Sequence, residues 1–144
     1  MHGKNIAENT IQCYKEKSGI YPKNIAVVLW GLETSRTQGE TIGQILTYLG
    51  VRVKSNKNIF MPEYEIIPKE ELGRPRIDVV INICGFFRDM FPNLIYDLNK
   101  IFRILWGLEE SDEETYFKAN STKIYKELIS QEYSKKRCRR TMLL

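Results

Sequence analysis

Apolar residues recur along this chain with two different spacings, and the change of spacing marks out the elements. Ile6, Ala7, Thr10, Ile11 and Tyr14 share one face at three- and four-residue intervals, which predicts a first helix stopped at Gly19. Pro22 then leads into Ile25-Ala-Val-Val-Leu-Trp30, a short continuous apolar run bounded by turn formers. Such a β-branched run predicts a strand buried on both faces. The polar stretch from Gly31 to Gly39 reads as a loop. At its end, Thr37-Gln-Gly-Glu40 has the form of a capping box, in which a hydroxyl and a carboxylate satisfy the first amides of a helix. Ile42, Ile45, Leu46 and Leu49 give that helix its apolar face, and Gly50 closes it. Val51-Arg-Val53 begins a second strand. A strand–helix–strand unit of this kind predicts a right-handed crossover onto a parallel sheet.

The second half repeats the alternation. Tyr64-Glu-Ile-Ile67 predicts a short edge strand stopped by Pro68, and Glu70 to Pro75 is rich in turn residues. Asp78-Val-Val-Ile-Asn-Ile83 predicts a third buried strand, ended at Cys84-Gly85. Pro92 suits the first turn of a helix with Leu94, Ile95, Leu98, Ile101, Phe102 and Leu105 on one face and Gly107 as its stop. Ser111-Asp-Glu-Glu114 is a second capping box, ahead of a helix carrying Tyr116, Phe117, Ile124 and Leu128. Strands alternating with helices predict an α/β fold. The expected form is a parallel-sheet, Rossmann-like (flavodoxin-like) three-layer segment, with helices on both faces and a helical C-terminal extension. Residues 1–130 would make the α/β segment and residues 131–144 a basic helical tail.

Charge changes this picture little. The 144 residues carry a formal net charge of +4. Lys135, Lys136, Arg137, Arg139 and Arg140 account for the surplus, because the remainder holds 17 basic against 18 acidic residues. A general nucleic-acid footprint is therefore absent, and no aromatic residue interleaves the basic run. No apolar run approaches the roughly 20 residues of a membrane span, and Met1 to Asn9 lacks a signal-peptide core. Three widely spaced cysteines and one histidine, His2, indicate neither a disulfide framework nor a metal site. A reduced, cytoplasmic setting is the expectation.

Candidate chemistry gathers where two predicted buried strands end, since ligands of open α/β sheets bind beyond the carboxyl ends of strands. The first loop offers Glu33, Arg36, Thr37 and Glu40, with Trp30 at its start. It matches neither a P-loop nor a dinucleotide fingerprint. Thr37 and Glu40 also have the plain reading of helix caps, and Trp30 that of core packing. The second loop, Gly85-Phe-Phe-Arg-Asp89, offers Phe86 and Phe87 as a flat apolar surface and Arg88 as a partner for a carboxylate. The plain alternative is core phenylalanines and an ordinary Arg88–Asp89 surface pair. Cys84 reads as a small buried side chain.

Four strings then come in order: Ile25-Ala-Val-Val-Leu-Trp-Gly31, Arg36-Thr-Gln-Gly-Glu40, Leu72-Gly-Arg-Pro-Arg-Ile-Asp-Val-Val80 and Gly85-Phe-Phe-Arg-Asp-Met-Phe-Pro-Asn93. Together they resemble the family that joins the large subunit of cobaltochelatase (CobN) to the large subunit of magnesium chelatase. The fourth string looks more like the cobaltochelatase branch. The resemblance implies a segment of the tetrapyrrole-binding subunit of an ATP-dependent chelatase, which inserts cobalt or magnesium during cobalamin-type biosynthesis. The metal would be a substrate ion, no cofactor would be bound by this segment, and ATP would be used by partner AAA+ subunits. That agrees with the missing P-loop. Partners would be the tetrapyrrole, those subunits and the remainder of the large subunit, with no membrane and no nucleic acid. By matching position the substrate-binding candidates are Trp30, Glu33, Thr37, Glu40, Phe87, Arg88 and Asp89, with no catalytic base assigned among them. Family members are many times longer, so the chain is expected to be a fragment, inactive by itself, with residues 131–144 a truncated continuation. The competing reading is a non-catalytic α/β module that binds a ligand or docks a partner.

Overall fold

A computed structural model describes residues 2–54 and 62–130. The chain runs through α1 (His2–Ser18), β1 (Asn24–Leu29), α2 (Gly31–Arg36), α3 (Glu40–Leu49), β2 (Val51–Lys54), β3 (Glu63–Ile66) and α4 (Lys69–Leu72). It continues with β4 (Asp78–Ile83), α5 (Gly85–Met90), α6 (Pro92–Trp106) and α7 (Tyr116–Ser130). The basic run from Lys135 to Arg140 lies outside the described residues.

The α/β class holds: a parallel strand pair is flanked by helices. β1 pairs with β4 in register, Ile25 opposite Val79, Val27 opposite Ile81 and Leu29 opposite Ile83. One face of this pair supplies Ile25, Val27, Leu29, Val79 and Ile81 to the core, where α1 brings Ala7 and Ile11, α3 brings Ile42, Ile45, Leu46 and Leu49, and α6 brings Leu98, Ile101 and Leu105. Period-two side chains explain the division, because alternate residues of a strand face opposite ways.

Two expectations change. Val51 to Val53 does form a strand, but β2 pairs antiparallel with β3, Val51 opposite Ile66, in a separate two-stranded sheet. The crossover from β1 therefore lands on β4, and the hairpin is an excursion on the way. The expected burial of β1 and β4 on both faces is also not seen: Ala26, Val28, Val80 and Asn82, on the second face, are exposed. A complete second helix layer is thus absent among the described residues. α7 reaches β4 through Asn120, whose amide donates to Asp78 Oδ2 at 2.8 Å, and it packs on α6 through stacked Phe117 and Phe102 rings.

Leu72-Gly-Arg-Pro-Arg76 turns out to be the clamp of the fold. The last turn of any helix leaves carbonyls without intrahelical partners. In α3 these are claimed by arginine: the Arg74 guanidinium donates to Thr47 O and Tyr48 O, and Arg76 Nη1 donates to Leu49 O and Gly50 O. Arg76 is only 2% exposed. Its remaining donors go to Ile67 O at 2.7 Å and to both carboxylate oxygens of Glu110 at 2.8–3.0 Å. Thr115 Oγ1 also donates to Glu110. Gly50 makes this possible, because its φ is +70° and a Cβ there would fall 2.4 Å from Arg76 Nη1.

Candidate functional site

The in-register pairing of β1 and β4 brings the two strand ends side by side, as a shared crevice requires. What leaves them differs from expectation. Both segments read as loops are short helices, α2 after β1 and α5 after β4. Neither is long enough to show an apolar period, so only the tertiary setting reveals them. Cys84 is not an inert filler. Its Sγ accepts from the Phe87 amide at 3.4 Å as the N-cap of α5. The amides of Gly31 and Phe87 together hold its thiol below the ordinary cysteine range. Cys84 thus caps the start of α5 with its sulfur.

The capping box at Thr37 is not made. Thr37 caps the end of α2, and its Oγ1 donates backward to Glu33 O at 2.8 Å. Gln38 and Gly39 both take left-handed backbone, with φ of 53° and 82°, and Gly39 becomes the N-cap of α3 without a side-chain bond. The second box is half made: Ser111 N donates to Glu114 Oε2 at 3.0 Å, and the helix begins later, at Tyr116.

Six of the seven candidate residues separate into four places. Trp30 stands 62% exposed at the end of β1. Arg88 and Asp89 are also exposed, in the second half of α5, with Arg88 Nε 3.3 Å from Asp89 Oδ1. Glu33 is held by Arg36 on the surface of α2 through contacts of 2.9–3.1 Å. That pair is solvent-screened and worth little in stability. Thr37 and Glu40 line a different feature, a cavity of about 560 Å³ shared with His2, Lys4, Thr47 and Arg52 beside the start of α3.

Phe87 requires a correction. It is wholly buried, its ring 5.3 Å from that of Phe91, and it offers no face to a ligand. Phe86 is the exposed member of the pair, at 50%. An α-helical turn sends consecutive side chains in different directions, so only one of two adjacent phenylalanines could enter the core. Leu32 and Met90 are exposed large apolar residues on the same two short helices. No signal in the sequence distinguishes Phe86 from Phe87, or marks Leu32. Among the described residues, no group of three or more His, Cys, Asp or Glu side chains is placed to hold a metal ion. Among them, too, no helix is long and apolar enough to cross a membrane.

What this arrangement can do chemically is offer apolar side chains at the strand ends, with one exposed guanidinium, paired only with an exposed carboxylate, that an acidic substituent could meet. Comparison with known proteins shows the family. Residues 1–143 match the CobN/Magnesium Chelatase family profile. An uncharacterized protein of Methanocaldococcus jannaschii is 41% identical over 98% of this chain, which covers 11% of that protein. The aerobic cobaltochelatase subunit CobN of a Sinorhizobium species is 37% identical over 81% of the chain, and 9% of its own length is covered. The catalytic subunit of cobaltochelatase from Mycobacterium tuberculosis superposes with a TM-score of 0.83 at 30% identity, over 95% of this chain and 11% of that one. The chain spans about a tenth of the length of these relatives. Over that span, this chain belongs to the CobN/magnesium chelatase family.

Proposed function

We propose that this chain is a segment of the tetrapyrrole-binding large subunit of an ATP-dependent metal chelatase, acting in the cytoplasm, and that it forms one wall of the substrate cleft. The observation that carries this reading is the exposed apolar and basic crown at the ends of β1 and β4: Trp30, Leu32, Phe86 and Arg88, in a chain that matches the chelatase family over residues 1–143. Insertion of a divalent ion into a tetrapyrrole requires a bound, oriented ring, removal of two pyrrole protons and stripping of the ion's water. The crown suits the first task. A conjugated ring rests on apolar side chains, and its peripheral carboxylates meet Arg88. Cobalt or magnesium is a substrate ion in this scheme, and AAA+ partner subunits hydrolyse ATP. Carboxylates serve as bases and as hard ligands for such ions. Asp89 is the carboxylate nearest the crown, whereas Glu33 is held by Arg36 and Glu40 faces the separate cavity.

The test is a titration of the chain with protoporphyrin and with hydrogenobyrinic acid a,c-diamide, followed by absorbance. A saturable spectral shift with at least one is expected. Arg88→Ala should weaken that binding by about threefold to tenfold, less in high salt, because an exposed charge pair is screened. No shift with either ligand would sink the reading. A second reading, a docking module without a ligand, is favoured by the open second face of β1 and β4, with Val28 and Val80 at least half exposed. That reading predicts no spectral shift and retention of a partner subunit on the chain.

A further inference from the structure

The crown contains a device that holds one of its rings in place. Gly31 opens α2 immediately after Trp30, and a Cβ built on it would lie 2.4 Å from Phe86 Cδ1 and 3.0 Å from Cε1. The Phe86 ring is therefore laid against bare backbone, one residue from Trp30. Gly31 does not have a positive φ, so its conformation does not demand glycine. Contact with the Phe86 ring, and a looser approach of 3.3 Å to Phe87 N, are what a side chain there would disturb. The ring is fixed yet half exposed, and Trp30, the residue before Gly31, is more so. Two large aromatic side chains are held at the surface, and Leu32 and Met90, on the same two short helices, are 75% and 54% exposed.

We infer that Trp30 and Phe86 form a stacking platform for the face of the macrocycle, and that Gly31 is the positioning residue that sets the Phe86 ring. This rests on the tetrapyrrole reading. Three features favour a planar ligand over a second protein as occupant. The platform lies beyond the carboxyl ends of adjacent parallel strands, where α/β sheets bind small molecules. Two aromatic rings offer flat faces that a conjugated ring can meet over a large area. Arg88, its side chain 68% exposed and paired with the equally exposed Asp89, is available to an acidic group at the ring's edge. Phe87 anchors the same turn from below, so the platform is built on the core.

The experiment uses the full chain, with protoporphyrin and hydrogenobyrinic acid a,c-diamide as probes, absorbance and tryptophan emission as readouts, and circular dichroism to check folding. Trp30→Ala and Phe86→Ala should each raise the dissociation constant by roughly fivefold to tenfold, and Phe86→Leu should do nearly the same, while Phe86→Tyr restores binding because a ring is restored. Gly31→Ala should weaken binding in the wild-type background and have no further effect in Phe86→Ala, since its action passes through that ring. If the wild-type chain binds a probe and all these variants bind within about twofold of it, the platform is wrong and the chelatase reading survives. If the wild type binds neither probe, both fall. If Trp30→Ala and Phe86→Ala instead abolish a dimer seen by sedimentation, with probe binding unchanged, the patch is a self-association surface and the inference is overturned.

Discussion

Arg76 and Arg88 flank the same strand, β4, and live in opposite surroundings. At the strand's start, Arg76 is buried and spends its donors on three backbone carbonyls and the Glu110 carboxylate. Past its end, Arg88 is exposed, and its one side-chain ion pair among the described residues is with the exposed Asp89. Around the start of the strand, as elsewhere among the described residues, every buried side-chain polar atom is paired. The end of the strand leaves aromatic rings and a charge facing solvent. Two arginines from neighbouring family strings thus have different meanings. An arginine whose hydrogen bonds are closed internally is committed to structure, and one left open at a ligand-binding edge is available for chemistry.

The largest expected effect breaks the closed end. Arg76→Met should lower unfolding free energy by about 3–5 kcal/mol, because it strands the Glu110 carboxylate in a mostly buried site. Denaturant melts would check this. Arg76→Lys should rescue little, since an ammonium cannot serve a bidentate carboxylate and three carbonyls at once. Gly50→Ala should cost about 2 kcal/mol or more in the same melts, from the left-handed backbone and from displacement of Arg76.

A smaller effect lies in the pH dependence. Burial pushes the Glu110 carboxyl up, but hydrogen bonds from Arg76 and Thr115 and the charges of Arg76 and Lys69 outweigh it, and the net shift is downward. Its contribution to stability is therefore complete above the unfolded glutamate value of about 4.3 and is lost as pH falls through the lower folded value. Asp78 is shifted upward, by burial first, against the opposing bonds from Asn120 and the Val79 amide. Its contribution is present below the unfolded aspartate value of about 3.9 and is lost as pH rises through the folded one. Glu110→Gln should thus flatten the acid limb of stability against pH. Asp78→Asn should raise stability at pH 7 relative to pH 4. Stability curves across pH 3–8 (a range chosen to span about one to four units around both carboxylates) would show either slope unchanged if the assignment is wrong.

The smallest stability effect belongs to the open end. Arg88→Ala should change unfolding free energy by no more than about 0.5 kcal/mol, as expected for a surface residue without internal partners. Its effect belongs in ligand binding. A large loss of stability in Arg88→Ala would erase the contrast between the two ends of β4.

Much of the fold is legible in the residues because apolar spacing is a local signal. The helices at 2–18, 40–49 and 92–106 and the strands at 24–29 and 78–83 follow their patterns closely. The two six-residue helices at the strand ends are not legible, since each is too short to repeat a face. Thr37 reads as a cap because Thr-x-x-Glu is a sequence pattern. Whether the hydroxyl reaches forward or back depends on the turn at Gln38 and Gly39, and that turn takes left-handed backbone.

The sequence by itself determined the order of the longer helices and the strands, their apolar faces and the family, because periodicity, punctuating glycines and prolines, and four strings in register all survive without coordinates. Only the tertiary structure decided which strands pair, that Phe87 enters the core while Phe86 stays out, and that Leu72-Gly-Arg-Pro-Arg76 closes the end of α3. Each of those depends on residues far apart in the chain competing for the same space, the same carbonyls or the same strand edge, and no local pattern records who wins.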